Sequence, residues 1–177
     1  LLNKFGNLYS LEQESFIQYL LAKNSFESIK IKLEKIEKLK VLVIGETIID
    51  QYIFCEALGK SGKEPVLVLR DLETQEYLGG ALAIGRHLSE FCSDVSVLSY
   101  LGEDHKYKSF IEENTEENIQ LNLLGKSNSP TIVKRRFVDS IDRKKVLGVY
   151  SINDNALSKS EESQFIESFD KLSKEHD

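Results

Sequence analysis

The chain has 177 residues, with 23 Lys and Arg against 29 Asp and Glu for a formal charge of −6, and 41% apolar and 29% charged residues. That is an ordinary balance for a globular domain, and the length suits one domain with a real core or parts of two. A pI near 5.2 argues against nucleic acid as the main partner, since phosphate neutralisation needs a basic surface. No run approaches the ~20 consecutive apolar residues of a membrane-spanning helix, so no membrane partner is expected. Met is absent although translation starts with it. The expectation is that Leu1 is not the natural start and that the chain is a piece of something longer. Cys55 and Cys92 lack a close pair or a His neighbour. They read as free thiols of a reducing, cytoplasmic compartment and not as a disulfide framework or zinc site.

Residues 1–39 read as two short helices. Ser10 with Gln13 is a capping-box pattern ahead of an apolar stripe at Phe16, Ile17, Leu20 and Leu21. Asn24 with Glu27 marks a second start, followed by Phe26, Ile29, Leu33 and Ile36 at helical spacing. The segment looks like a linker or the tail of an earlier domain. At Lys40 the pattern changes to the continuous apolar run Val41-Leu42-Val43-Ile44, ending in Gly45, as in a parallel strand buried on both faces.

Extended pieces follow at 51–54 and 65–70, separated by a polar stretch. Gly79-Gly80 then opens a helical run over 81–91. Residues 95–101 form another buried strand, 106–113 a helix and 119–124 an extended segment. Residues 131–138 and 145–150 read as a strand pair around the polar turn 140–143. Ser158 with Glu161 caps a last amphipathic helix bearing Phe165, Ile166, Phe169 and Leu172. Buried strands alternating with helices predict an α/β layer structure, and the alternating pieces at about 51–70 and 131–150 predict a small antiparallel accessory sheet.

Few residues could carry chemistry. Asp50 follows the first buried strand, in the region beyond strand carboxyl ends where open α/β sheets bind ligands. A carboxylate there can accept hydrogen bonds from sugar hydroxyls, or it can cap a strand-exit loop. Gly79 and Gly80 let backbone approach a ligand and aim free N–H groups at a hydroxyl or phosphate, or they simply make a turn. Lys134 and Arg136 fall on one face of a presumed strand, with Arg135 on the other. They could hold a substrate phosphate or guard a solvated strand edge. His87 and His105 have no evident nucleophile or metal partner. Glu103-Asp104 could bind a cation or cap the next helix.

Taken in order, 41–50, Glu64-Pro65-Val66-Leu67-Val68, Gly79-Gly80-Ala81, Leu101-Gly102-Glu103-Asp104 and Ser129-Pro130-Thr131 with Lys134 and Arg136 resemble the N-terminal half of a PfkB or ribokinase-like carbohydrate kinase. The resemblance is closest to the heptose-phosphate kinase domain of bifunctional lipopolysaccharide-precursor enzymes. It implies an incomplete, doubly wound ribokinase-like sheet with a small antiparallel β lid. Residues 40–177 would be the N-terminal half of the kinase domain, and residues 1–39 a helical connector from a preceding nucleotidyltransferase.

The resemblance further implies that Asp50 binds sugar hydroxyls, that Gly79 and Gly80 let the sugar lie against backbone, and that Lys134 and Arg136 sit near the substrate. A homodimer through the lid, ATP and Mg²⁺ as cofactors of the full-length enzyme, and a sugar or sugar-phosphate substrate are implied in the same way. Two positions depart from the pattern. Ala83 stands where the family usually has Asn, and Gly45-Glu46 where it usually has Gly-Asp. No Gly-Ala-Gly-Asp-type motif, the family's source of the catalytic base, occurs in the 177 residues. The chain alone is therefore expected to be inactive, and a non-catalytic sugar-binding, dimerisation or regulatory module is the competing reading.

Overall fold

The computed structural model describes residues 9–177. The chain falls into two compact units, Leu1–Lys38 and Leu39–Asp177. In the first, α1 (Leu11–Lys23) begins with the expected capping box, in which Ser10 Oγ accepts the Gln13 N–H at 3.2 Å and Gln13 Oε1 accepts the Ser10 N–H at 2.8 Å. The cap of α2 (Phe26–Glu37) is Ser25, whose Oγ accepts the Ser28 N–H at 3.1 Å. Asn24, expected in that role, instead closes α1 in an extended conformation and donates its amide back to the Leu20 carbonyl. Neither helix buries a residue.

The second unit contains two sheets. The strands in chain order are β1 (Lys40–Ile44), β2 (Thr47–Lys60), β3 (Leu67–Gly80), β4 (Asp94–Gly102), β5 (Ile119–Lys126), β6 (Ile132–Asp139) and β7 (Lys145–Ser151). The order β1-β4-β5 forms a parallel sheet, with Val43 opposite Val97 and Val97 opposite Leu121. β4 is buried along most of its length, which is why Val95, Val97 and Leu98 can all be apolar without alternation. α3 (Ala81–Ser89) packs on this sheet through Ala81, Leu82 and Gly85. A Cβ at Gly85 would stand 2.8 Å from Val97 Cγ2, so the glycine sets how closely the helix approaches.

α4 (Lys108–Glu113) starts two residues later than its pattern suggests, because His105 takes a positive φ of 47° and Asp104 Oδ1 accepts the Lys106 N–H, holding the entry as a turn. α5 (Lys159–Leu172) begins with the second capping box, Ser158 with Glu161.

The order β3-β2-β6-β7 forms the second sheet. It consists of two antiparallel hairpins, β2–β3 and β6–β7, joined by a parallel seam between β2 and β6. Along β2, Thr47, Ile49, Gln51, Ile53 and Cys55 point inward and are buried, while Ile48, Asp50, Tyr52 and Phe54 alternate outward. Ile49, Leu78 and Val133 join the core formed by Val95, Val97, Leu101 and Ile111. Full burial of a side chain such as Ile49 is worth about 1.5–3 kcal/mol. One face of this sheet is thus pinned to the core, and the opposite face carries Asp50. Among the described residues, no helix is long and apolar enough to cross a membrane.

Candidate functional site

Asp50 lies within β2, four residues into the strand run, and not on a strand-exit loop. Its neighbours across the sheet are Tyr77 on β3 and Lys134 on β6. Two residues along the seam, Tyr52 faces Arg136. Period-two geometry therefore puts Asp50, Tyr52, Tyr77, Lys134 and Arg136 on one face. Arg136 Nη1 donates to Asp50 Oδ1 in an ion pair whose side chains are 17% and 24% exposed. Its guanidinium carbon is 5.4 Å from the centre of the Tyr52 ring. The hydrogen bond to Asp50 raises the Arg136 pKa above its ordinary value, against burial, which lowers it.

The two glycines have different duties. A Cβ on Gly79 would stand 2.6 Å from Asp50 Oδ2, so the missing side chain is what lets the carboxylate lie against this backbone. Gly80 has a φ of 58°, and a Cβ there would collide with the Glu46 carbonyl oxygen. That same oxygen accepts the Ala81 N–H at 2.9 Å. The first N–H of α3 is accordingly spent within the fold, contrary to the expectation of free donors there. Gly80 is a backbone pivot between β3 and α3.

Lys134 is in register with Asp50 and Tyr150, and its ammonium is 6.0 Å from the centre of the Tyr150 ring. Arg135 points to the other face and donates to Ser151 Oγ at 3.0 Å. The structure thus joins Asp50, Gly79 and Arg136 directly, with Lys134 on the same face.

Aromatic residues complete this face, and sequence reasoning did not single them out. Tyr52, Phe54, Gln75 and Tyr77 line a shallow hollow of about 420 Å³ with Asp50. Tyr52 and Tyr77 meet edge to face at 5.9 Å, and the Tyr77 hydroxyl donates to Gln75 Oε1 at 2.7 Å. The signal was the alternation Asp50-Tyr52-Phe54, visible once that segment is recognised as a strand. Ala83 is half-buried on α3 and borders a separate hollow with Tyr77, Arg86 and Glu116.

A second cleft, about 340 Å³, opens at the carboxyl ends of β1, β4 and β5, lined by Glu46, Thr47, Gly102, Lys126 and Thr131 among others. Its rim is cross-braced. Lys126 Nζ donates to the carbonyls of Asn153 at 2.9 Å and Asn155 at 3.0 Å, and Asn153 donates to the Asn128 carbonyl. Glu161 accepts the Ser127 and Ser158 N–H groups, at 2.6 and 2.7 Å. Those bonds, the Ser127 one foremost, hold its carboxyl at about 2. Glu103 and Asp104 serve different neighbours, the Asn128 N–H and the Lys106 N–H, as braces of the turn. His87 and His105 are exposed. Cys55 and Cys92 are buried thiols, and burial raises the Cys55 pKa. Among the described residues, no three His, Cys, Asp or Glu side chains converge as a metal site.

The parallel sheet with α3 packed on it, beside the four-stranded second sheet, has the ribokinase-like fold. The crystal structure assigned as a sugar kinase from Clostridium perfringens superposes with a TM-score of 0.54 at 17% identity, covering 76% of this chain and 41% of that one. The structure assigned as a 1-phosphofructokinase from Thermotoga maritima gives 0.59 at 15% identity, over 78% and 42%.

No family model matches the chain. In sequence it is similar to the D-beta-D-heptose 7-phosphate kinase of Bordetella bronchiseptica, 29% identical over 103 residues, 58% of this chain and 33% of that protein. It is likewise similar to the bifunctional protein HldE of Nitratiruptor, 29% identical over 146 residues, or 79% and 30%. The bifunctional protein HldE of Campylobacter jejuni is 36% identical over 78 residues, or 44% and 17%. The resemblance read from the motif order is thus found in both sequence and fold, and the chain spans a third or less of these relatives' length.

Proposed function

We propose that this chain supplies the acceptor side of a carbohydrate kinase that moves the γ-phosphate of ATP to a hydroxyl of a sugar phosphate of the heptose-phosphate kind. The observation that carries the reading is the Asp50 carboxylate held against Gly79 with Arg136 and Lys134 on the same face, in a chain similar to a heptose 7-phosphate kinase. Asp50 accepts hydrogen bonds from acceptor hydroxyls and orients them. Arg136 and Lys134 bind the phosphate already on the sugar, a task suited to a forked guanidinium and a point charge. The aromatic floor of Tyr52 and Tyr77 excludes water from one side.

ATP with Mg²⁺, when bound, supplies the phosphoryl group. The described residues offer no convergent metal ligands, and the 177 residues hold no Gly-x-Gly-Asp. Phosphoryl transfer needs base, nucleotide and acceptor together, and on this reading the chain by itself does not turn over. The same reading makes residues 40–177 a kinase half in a cytoplasmic protein, preceded by a connector from a nucleotidyltransferase. It gives the exposed Leu147 and Val149 of the lid to a homodimer contact.

Ala83 in place of an amide favours one rival, a sugar-binding module without catalysis. Phosphoryl transfer from ATP to heptose 7-phosphate by the full-length protein separates the two. Turnover that falls about 100-fold or more in Asp50→Ala supports the kinase. Binding of the sugar without turnover supports the module.

A further inference from the structure

The pairing of Arg136 with Asp50 sets two duties of this face against each other. Asp50 is the hydroxyl acceptor in the reading above, yet its Oδ1 is taken by Arg136 and its Oδ2 rests against Gly79. Arg136 is the phosphate ligand in the same reading, yet its guanidinium is committed to Asp50 and covered by the Tyr52 ring. Both side chains are mostly shielded from water, so solvent is a poor substitute partner for either. Lys134 differs, because it pairs with no carboxylate among the described residues and lies over Tyr150 beside Asp50 in the register. The face therefore presents one uncommitted cation next to a closed ion pair.

We propose that Arg136 is a phosphate-operated latch over Asp50. A phosphate monoester drawn against Lys134 offers Arg136 a dianion in place of a monoanion, with two oxygens matched to the guanidinium fork. Arg136 turns to the phosphate, and Asp50 Oδ1 opens to a sugar hydroxyl. An unphosphorylated sugar meets the pair still closed. Phosphate and hydroxyl occupancy are thereby positively coupled, each tightening the other by the same factor. The latch rests on the acceptor-site reading and adds to it the origin of the choice of a phosphorylated sugar over a free one.

Isothermal titration of the protein with unphosphorylated heptose, with and without inorganic phosphate, tests this. Saturating phosphate is expected to tighten heptose binding about 5-fold or more, the lower end of ordinary allosteric coupling. In Arg136→Gln, heptose alone binds more tightly than to the unmodified protein, phosphate no longer helps, and D-beta-D-heptose 7-phosphate binds more weakly. A residue that only supports the fold does not move two ligands in opposite directions. Indifference of heptose affinity to phosphate in the unmodified protein overturns the latch without recourse to any variant. So does unchanged or weaker heptose binding by folded Arg136→Gln. If heptose 7-phosphate binds, depends on Asp50, and shows no coupling, the latch falls while the acceptor site stands. If neither sugar binds the unmodified protein, both fall.

Discussion

Arg136 and Asp50, 86 positions apart in sequence, meet as an ion pair across the parallel seam between β2 and β6. The two hairpins of the second sheet pair along that seam, so the ion pair sits where they join. With both side chains under a quarter exposed, the pair is more than a surface ornament. A double-mutant cycle with Asp50→Asn and Arg136→Gln, read by chemical denaturation, should return a coupling of ~1–3 kcal/mol.

Adjacent arginines should behave oppositely. Arg135 bonds Ser151 on the far face, whereas Arg136 faces Asp50. Losing a charged hydrogen-bond partner costs about 1.5–3 kcal/mol, so Arg136→Gln should weaken heptose 7-phosphate binding by about 10- to 100-fold. Arg135→Gln should leave it within about twofold, since Arg135 lies on the opposite face of the strand and shares no partner with Asp50. Calorimetric titration of the two variants side by side checks this.

The glycine pair should split in the same manner. A methyl on Gly79 meets the end of the Asp50 side chain, so Gly79→Ala should displace the carboxylate and weaken sugar-phosphate binding with little loss of stability. A methyl on Gly80 meets the Glu46 backbone at a positive φ of 58°. That strain alone costs about 1–3 kcal/mol, and Gly80→Ala should show it as a lower denaturation midpoint.

Glu161 should make stability fall in acid. Its carboxyl is held at about 2 against an ordinary 4.5, so the folded state resists its protonation more than the unfolded chain does. The contribution is complete above pH 4.5 and is lost as the pH falls toward 2. Melting temperatures measured across that window should drop more steeply for the unmodified protein than for Glu161→Gln. The variant should be the less stable of the two at neutral pH, where the Ser127 and Ser158 N–H groups lose their charged acceptor.

Local signals in the sequence were legible where one segment decides its own structure. The run Val41-Leu42-Val43-Ile44 became β1, though with Val43 buried and Ile44 exposed it is not the strand covered on both faces that was expected, and the Ser10–Gln13 and Ser158–Glu161 boxes cap helices as spaced. Ser25 displaced Asn24 as the second cap because both are competent and the end of α1 claims Asn24 first. Asp50 was singled out by residue type, but its strand setting was hidden, since Thr47 to Phe54 alternates only when the buried Gln51 is counted among the inward residues. What no local pattern carries is the parallel join of β2 to β6. Because that join brings Arg136 to Asp50, their ion pair became visible only in three dimensions.

The most direct test of the acceptor-site account is the equilibrium affinity of D-beta-D-heptose 7-phosphate for the unmodified protein and for Asp50→Ala. The account predicts saturable one-to-one binding that weakens at least about 10-fold in the variant, as expected when a charged hydrogen-bond acceptor is removed, while the melting temperature shows the variant still folded. Saturable binding of equal strength in folded Asp50→Ala, or none to the unmodified protein, would contradict it.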